Sequence, residues 1–193
     1  ISVGTTNKVN YSFDLASGSL LQVWAGRFLD VTKMWHGRGN EQLGSPIGVP
    51  IVFHGTPDFS FLENENRQWP DSISNNTTLK QLGYELDQNG NPMFQMQLNN
   101  ALITNSFVPS NKNRGLDRII STNSEVTLYH KIGEGSVIEK LSKNTFSIDN
   151  KSYVVEFSGK RGVKPLIRNN DGKDELLVKI PSGSQNFSYT IVW

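Results

Sequence analysis

The chain has 193 residues, a length that fits one domain and allows a sizeable core without disulfides or a structural metal. Its 19 Lys and Arg residues nearly balance its 18 Asp and Glu residues, which argues against electrostatic binding to nucleic acid or to an anionic membrane. The lack of cysteine excludes disulfides, thiolate metal sites, a Cys nucleophile and a covalently attached c-type haem within the chain.

The sequence contains no long apolar run, so it shows neither a targeting segment nor a membrane-spanning segment. We therefore expect no membrane insertion. The chain begins at Ile1 without an initiator Met, so we expect a processed protein or a piece of a longer one. No linker or break in composition divides it, and we predict a single β-sandwich domain over residues 1–193.

Alternation of apolar and polar residues with a period of two dominates the chain. The alternating runs are "VNYSFDL" (9–15), "EVTLYHKI" (125–132), "SYVVEF" (152–157) and "FSYTIVW" (187–193). The turn-forming sequences between runs are "ASGS" (16–19), "DQNGN" (87–91), "DNKS" (149–152), "NNDGK" (169–173) and "PSGS" (181–184). The pattern predicts an all-β, antiparallel β-sandwich of about a dozen short strands. One helical candidate, "TTLKQLG" (77–83), would make a turn or two at most.

The segment from Leu20 to Thr32 is predicted as one strand bent at Gly26. Its core face would carry Leu21, Val23, Ala25, Leu29 and Val31, and its other face Leu20, Gln22, Trp24, Phe28 and Asp30. The second face mixes aromatic rings with an amide and a carboxylate, the combination that suits a sugar. The alternative is that Trp24 and Phe28 simply pack beneath the long irregular region 37–76, which is rich in Gly, Pro, Asn and Ser.

The loop "MWHGRG" (34–39) brings Trp35, His36 and Arg38 together. Histidine suits proton transfer near neutral pH and arginine suits a carboxylate or sulfate. Asp30 and His36 would form an acid–base pair if the turn folds back over the strand. We assign no catalytic residue, and Asp30 and His36 are the candidates. The residues predicted to bind a ligand are Trp24, Asp30, Trp35, Arg38 and Trp69.

The other two histidines offer no evident chemistry in the sequence. His130 falls among apolar residues and is interpreted as a core or edge histidine, whereas His54 is a loop residue with no partner nearby in sequence. The His spacing does not suit zinc, and neither a nucleophile elbow nor a phosphate-binding loop occurs. We expect no metal and no cofactor within this chain.

Several stretches together resemble a known type of domain. They are "ISVG…VNYSFDLASGSLLQVWAGRFLDVTKMWHGRG", "WP", "LGYELDQNGNPMFQMQL" and "DELLVKIP…YTIVW". The pattern resembles a β-rich domain of large secreted bacterial proteins, the c-type cytochrome and glucose/sorbosone dehydrogenase-related multidomain chains. The likeness follows most of the chain in order and is densest over residues 9–39, 83–98 and 174–193.

The resemblance implies a periplasmic or extracellular setting and a part in carbohydrate oxidation or breakdown. It also implies that this chain is a fragment, with the haem and dehydrogenase centres in neighbouring domains, and a galactose-mutarotase-like supersandwich is one architecture that would fit. Trp24, Asp30, Trp35, Arg38 and Gly39 match the family pattern. The pattern does not require His at position 36, which weakens a role for His36 as a base.

The sequence alone is compatible with three functions. The first is an accessory carbohydrate-binding domain. The second is a sugar-active hydrolase, lyase or epimerase that uses Asp30 and His36. The third is a structural module that docks partner domains or subunits of a multidomain oxidoreductase. Sandwich folds host all three, so the fold alone does not decide between them.

Overall fold

The computed structural model describes residues 1–36, 43–74, 76–110, 115–158 and 163–193, apart from the side chain of His36. These residues form eighteen strands and one short helix. The elements are β1 (Ser2–Gly4), β2 (Val9–Asp14), β3 (Ser19–Ala25), β4 (Arg27–Asp30), α1 (Thr32–His36), β5 (Ser45–Ile47), β6 (Ile51–Val52), β7 (Phe59–Ser60), β8 (Leu79–Leu86), β9 (Pro92–Leu98), β10 (Ala101–Pro109), β11 (Gly115–Ser124), β12 (Leu128–Gly135), β13 (Ile138–Lys140), β14 (Thr145–Ile148), β15 (Tyr153–Phe157), β16 (Lys164–Asn170), β17 (Lys173–Ile180) and β18 (Gly183–Val192).

The strands form antiparallel sheets that pack as a sandwich, as predicted. One layer is an eight-stranded sheet in the order β13-β14-β15-β18-β11-β10-β9-β8. Two four-stranded sheets, β1-β2-β3-β6 and β16-β17-β12-β7, pack against different parts of it. A separate two-stranded sheet pairs β4 with β5. The all-β class is thus confirmed.

Aromatic side chains join the layers. On β2, Tyr11 lies 4.7 Å from Phe107 of β10 and Phe13 lies 4.9 Å from Phe94 of β9, both measured between ring centroids. These fully buried rings extend one continuous apolar core between the large sheet and the β1-β2-β3-β6 sheet. Burial of such rings is the main favourable contribution to folding here.

The predicted turns all fall at strand boundaries. "ASGS", "DQNGN", "DNKS" and "NNDGK" close hairpins between consecutive paired strands. In the last of these, Asp171 and Gly172 have φ of 50° and 80°, the pair of positive values that a two-residue turn of this kind requires. "PSGS" instead separates β17 from β18, which belong to different sheets.

The predicted strand Leu20–Thr32 is wrong in three respects. It is broken at Gly26, which has a φ of 112°, and β4 leaves the sheet of β3 to pair with β5. The chain after β4 then enters α1, so Val31 is exposed instead of buried. A β-bulge at Leu21 also shifts the alternation, and Leu20 rather than Leu21 points into the core.

Two further expectations need correction. Residues 77–83 form no helical turn, because Leu79 already begins β8 and pairs with Leu98 of β9. The region 37–76 is less irregular than expected, since its described residues include β5, β6 and β7. Within the described part of the chain, α1 is the sole helix, and it is far too short to cross a membrane.

Candidate functional site

The three tryptophans predicted to bind a sugar lie in different places. Trp24 is fully buried, donates its indole N–H to backbone carbonyls of β4 at 3.0 Å, and stacks on Phe28. Trp69 is 3% exposed and donates to the carbonyl of Pro57 at 2.8 Å. Trp35 is 79% exposed on α1. The three rings therefore do not line one cleft, and the two buried rings present almost no surface to a sugar.

Asp30 shapes the turn that leads into α1. Its Oδ1 accepts hydrogen bonds from the backbone N–H of Thr32 at 2.9 Å and from the Thr32 hydroxyl at 2.5 Å. The hydroxyl bond, with the backbone bond, lowers the pKa of the Asp30 carboxyl. His36 ends α1, but its side chain and the whole of Arg38 and Gly39 lie outside the described residues. The acid–base pair and the ligand role of Arg38 stay predictions.

A polar cleft of about 350 Å³ lies where residues 54–71 meet the β16-β17-β12-β7 sheet, at the end that carries the β16–β17 turn. We call it the polar cleft. Residues 54–71 contribute His54, Thr56, Gln68, Trp69 and Asp71 to its lining, and the sheet contributes Lys131, Glu134, Asn170, Asp171, Lys173 and Glu175. Among the predicted ligand-binding residues that the structure describes, Trp69 is the one that lines the polar cleft.

Ion pairs form the wall of the polar cleft. The ammonium of Lys131 lies 2.6 Å from Glu134 Oε2 and 3.0 Å from Glu175 Oε1. Glu175 also binds Arg168 Nε at 2.6 Å, and Glu134 binds Lys173 at 2.8 Å. Burial opposes ionisation of Glu134, but hydrogen bonds from Lys131 and Lys173 outweigh it and lower the pKa. The lysines of the cleft are therefore already neutralised by protein carboxylates.

The position of Lys131 follows from the strand that carries it. Tyr129 and Lys131 share the face of β12 that points away from the main core, where Tyr129, Trp69 and Leu177 form a separate small apolar cluster. The Lys131 ammonium lies 5.9 Å from the centroid of the Trp69 ring. Residues around Trp69 therefore cover the outer face of this sheet.

A buried polar network connects the polar cleft to the core. His54 contacts the Thr56 hydroxyl through Nδ1 at 2.8 Å and faces Asp58 Oδ1 through Nε2 at 3.5 Å. The second oxygen, Asp58 Oδ2, pairs with Arg118 Nη2 at 2.7 Å and accepts the backbone N–H of Leu20 at 3.0 Å. The side chains of His54, Asp58 and Arg118 are each 1% exposed.

The network continues into the main core as a directed chain of hydrogen bonds. Arg118 Nη1 donates to the Tyr189 hydroxyl at 3.1 Å, and this hydroxyl lies 2.9 Å from His130 Nε2. His130 Nδ1 lies 2.9 Å from the carbonyl of Asp58, so this nitrogen carries the proton and Nε2 accepts from Tyr189. His130 is fully buried with both nitrogens paired, which confirms its interpretation as a core histidine.

Burial sets the protonation of both histidines. It lowers the pKa of His130 well below the ordinary value, and the charge of Arg118 lowers it further. Burial also lowers the pKa of His54, although the Asp58 carboxylate opposes the shift. Both imidazoles are therefore neutral at neutral pH.

Sequence reasoning missed most residues of the polar cleft. His54, Thr56 and Asp58 occur in "HGTPD", which reads as an ordinary turn sequence. A signal did exist on the strands, where Lys131 interrupts the apolar run in "LYHKI" and Glu175 directly precedes the apolar run in "DELLVKI". Charged residues in such runs are rarely buried unless paired, so each predicts a buried partner.

Comparisons with known proteins add no assignment. No family model matches the chain, and no curated protein matches it. The resemblance to cytochrome- and sugar-dehydrogenase-associated domains stays a prediction. In the ranges that the structure describes, no three His, Asp or Glu side chains gather in a way that would hold a metal ion.

Proposed function

We propose that this protein is a carbohydrate-binding β-sandwich whose ligand is a neutral polyol, such as a sugar unit, held in the polar cleft. The supporting observation is the cleft itself, about 350 Å³ in volume and lined by amides, carboxylates, ammonium groups and a hydroxyl. Small-molecule sites have volumes of about 300–1,000 Å³. A sugar has adjacent hydroxyls that both donate and accept, which complements such a lining.

Charge favours a neutral ligand over an anion. Lys131 and Lys173 are paired with Glu134 and Glu175, so neither ammonium needs a ligand carboxylate or phosphate. The lining holds more carboxylates than ammonium groups, which disfavours an anion further. Carboxylate oxygens have lone pairs left for sugar hydroxyls, and the amides of Gln68 and Asn170 can both donate and accept.

The proposal moves the site away from the sequence-predicted run around Trp24 and Asp30. The remaining parts of the prediction rest on the resemblance alone. They are a periplasmic or extracellular setting and an accessory role beside a carbohydrate-oxidising or carbohydrate-degrading protein.

Isothermal titration calorimetry with a panel of neutral mono- and oligosaccharides tests the proposal. Asn170→Ala removes one amide of the polar cleft without disturbing an ion pair, and we expect it to weaken binding about tenfold, equivalent to about 1.4 kcal/mol. Asn186→Ala, an exposed amide on β18 outside the cleft, is the matched control and should bind as the wild type does. Folded protein that binds no sugar in the panel would overturn the proposal.

A second candidate function, docking of a partner domain, is favoured by one segment. We call the described residues 27–36 and 43–49 the arm, since β4, α1 and β5 form a unit outside the main sheets. Its large, substantially exposed apolar side chains are Phe28, Val31, Met34, Trp35, Leu43 and Val49. Concentrated apolar exposure of this kind marks interaction surfaces in soluble proteins.

An apolar fluorescent dye distinguishes this candidate from a merely exposed loop. If the arm presents a docking surface, the wild type should bind the dye in its folded state, and Trp35→Ser should reduce the signal without changing the unfolding midpoint. Tyr84→Ser on β8 removes another exposed aromatic ring and serves as the control. Equal dye binding by wild type and Trp35→Ser would count against docking through the arm.

A further inference from the structure

Three residues of the "HGTPD" turn form an arrangement that sugar binding does not require. The Thr56 hydroxyl lies 2.8 Å from His54 Nδ1, and His54 Nε2 faces Asp58 Oδ1 at 3.5 Å. A hydroxyl, an imidazole and a carboxylate are thus connected in series. The same order of groups activates nucleophilic hydroxyls in unrelated folds.

The hydrogen bonds set the direction of proton movement. Nε2 faces a carboxylate, so the favoured tautomer of neutral His54 carries its proton on Nε2 and leaves Nδ1 free to accept from Thr56. Burial lowers the pKa of His54, so the imidazole is in this neutral, proton-accepting form at neutral pH. The base is therefore available to the hydroxyl without prior deprotonation.

One carboxylate oxygen of Asp58 is available to stabilise the charged form of His54. Its Oδ2 is occupied by Arg118 and by the backbone N–H of Leu20, which hold the carboxylate in place. Its Oδ1 is buried and has no hydrogen-bond partner among the described residues. A buried carboxylate oxygen without a hydrogen bond is costly, and a proton gained by His54 at Nδ1 would give a positive charge to the imidazole whose Nε2–H already faces this oxygen.

The reactive groups reach the same space as the proposed ligand. Thr56 is half-buried, and Thr56 and His54 both line the polar cleft, whereas Asp58 lies behind His54.

We propose that Thr56 is a nucleophile for acyl transfer, with His54 as its general base and Asp58 as the positioning residue. The substrate class is a carboxylate ester of a polyol, such as an O-acylated sugar. The polyol half of that assignment rests on the proposed function of the polar cleft.

The reaction balances with water as the second substrate. Thr56 Oγ1 bonds to the ester carbonyl carbon while its proton passes to His54 Nδ1. The bond from that carbon to the alcohol oxygen then breaks, and the polyol leaves with the proton from His54. Water next attacks the acyl-Thr56 ester and gives a proton to His54. The free acid leaves as Thr56 regains its proton, so no oxidant, reductant or metal is consumed.

Hydrolysis of p-nitrophenyl acetate and of glucose pentaacetate, measured on the intact chain, tests this chemistry. We expect turnover that falls at least about 100-fold in His54→Gln and in Thr56→Val, the usual contribution of a base or nucleophile. Thr56→Ser should keep activity, because it retains the hydroxyl. Thr104→Val, a half-buried threonine on β10 outside the polar cleft, is the matched control.

A second readout separates chemistry from a structural role. Mass spectrometry of the quenched reaction should find an acetyl group on the peptide that carries Thr56 in the wild type and in Thr56→Ser. Acetylation of lysines alone, or equal turnover by wild type and Thr56→Val, would overturn the inference. If Thr56→Val does not fold, Thr56→Ser and His54→Gln still decide it, since the first should be active and the second inactive.

The outcomes distinguish the two proposals. Sugar binding by calorimetry without ester turnover would overturn the acyl-transfer inference and leave the binding function standing. Ester turnover at Thr56 without binding of any neutral sugar would overturn the binding function and leave the nucleophile standing.

Discussion

At the scale of single residues, Asp58 joins the polar cleft to the core. One carboxylate oxygen faces His54 and the other pairs with Arg118, while its backbone carbonyl accepts from His130. Taking a carboxylate and a guanidinium out of water is expensive, and the cost is offset here by their pairing and by bonds to Asn105 and Tyr189. The network therefore tolerates loss of a partner poorly.

Arg118→Leu should destabilise the protein strongly. It leaves the Asp58 carboxylate buried without its partner, and breaking such a pair typically costs about 3–5 kcal/mol. Denaturant unfolding monitored by tryptophan fluorescence measures the change. Lys179→Met, which breaks an exposed pair with Glu65, is the control and should leave the midpoint unchanged. Equal effects of the two substitutions would mean that the buried pair is not structurally important.

Acidification should destabilise the protein before its carboxylates titrate. Burial depresses the pKa of His130 in the folded state, so below about pH 6.5 the unfolded chain takes up a proton that the folded chain does not. The contribution of each such group to the free energy of unfolding is therefore fully present above about pH 6.5. It declines by about 1.4 kcal/mol per pH unit as the pH falls toward the pKa of the folded state. His54 shifts in the same direction.

Urea unfolding between pH 7.5 and pH 5 measures this slope. The window lies above the ordinary carboxyl pKa values of about 4, so histidine dominates it. His130→Gln keeps a donor and an acceptor but does not titrate, and its slope should be shallower than that of the wild type. An identical slope in the two proteins would contradict a depressed pKa for His130.

At the scale of elements, bulges decide where the alternation of a strand changes face. β3 has a β-bulge at Leu21 and β12 has a β-bulge at Ile132. At each bulge the pairing register with the neighbouring strand shifts by one residue. A period-two pattern cannot reveal such an insertion, because the bulged residue depends on pairing with a distant strand. For this reason the existence of the strands could be predicted from sequence, whereas the inward position of Leu20 could not.

Gly133, beside the β12 bulge, should resist any side chain. A Cβ added there would overlap the Tyr153 hydroxyl, and overpacking of this kind costs about 1–3 kcal/mol. Gly133→Ala should therefore lower the free energy of unfolding. In a Tyr153→Phe background, which removes the hydroxyl, the same substitution should cost much less. Additive effects of the two changes would show that the contact does not limit position 133.

At the scale of the whole molecule, the sandwich and its turns were predictable from sequence because both depend on local patterns. "NNDGK" closes the β16–β17 hairpin as its Asp-Gly pair indicates. The polar cleft was not predictable. His54 and Lys131 come together only because β7 pairs with β12, a contact across about seventy positions of sequence. The sequence left both a ligand-binding and a packing role open for Trp24, and the structure shows that the ring is buried.

The molecule thus separates two kinds of surface. The polar cleft lies at one end of the β16-β17-β12-β7 sheet, while the exposed apolar side chains of the arm extend from the β4–β5 pair. A sugar that used the sequence-predicted residues would contact the arm. A sugar that used the polar cleft would lie beside the buried Trp69, which forms part of the lining.

The central claim is that a sugar occupies the polar cleft and not the arm. A ¹H–¹⁵N NMR titration with a sugar that binds the protein, followed through the tryptophan indole N–H signals, tests it most directly. The chain has four tryptophans, and single Trp→Phe variants would assign their signals. We predict that the Trp69 signal shifts with sugar concentration while the Trp35 signal stays unchanged. A shift of Trp35 with an unchanged Trp69 would contradict the account and return the site to the arm.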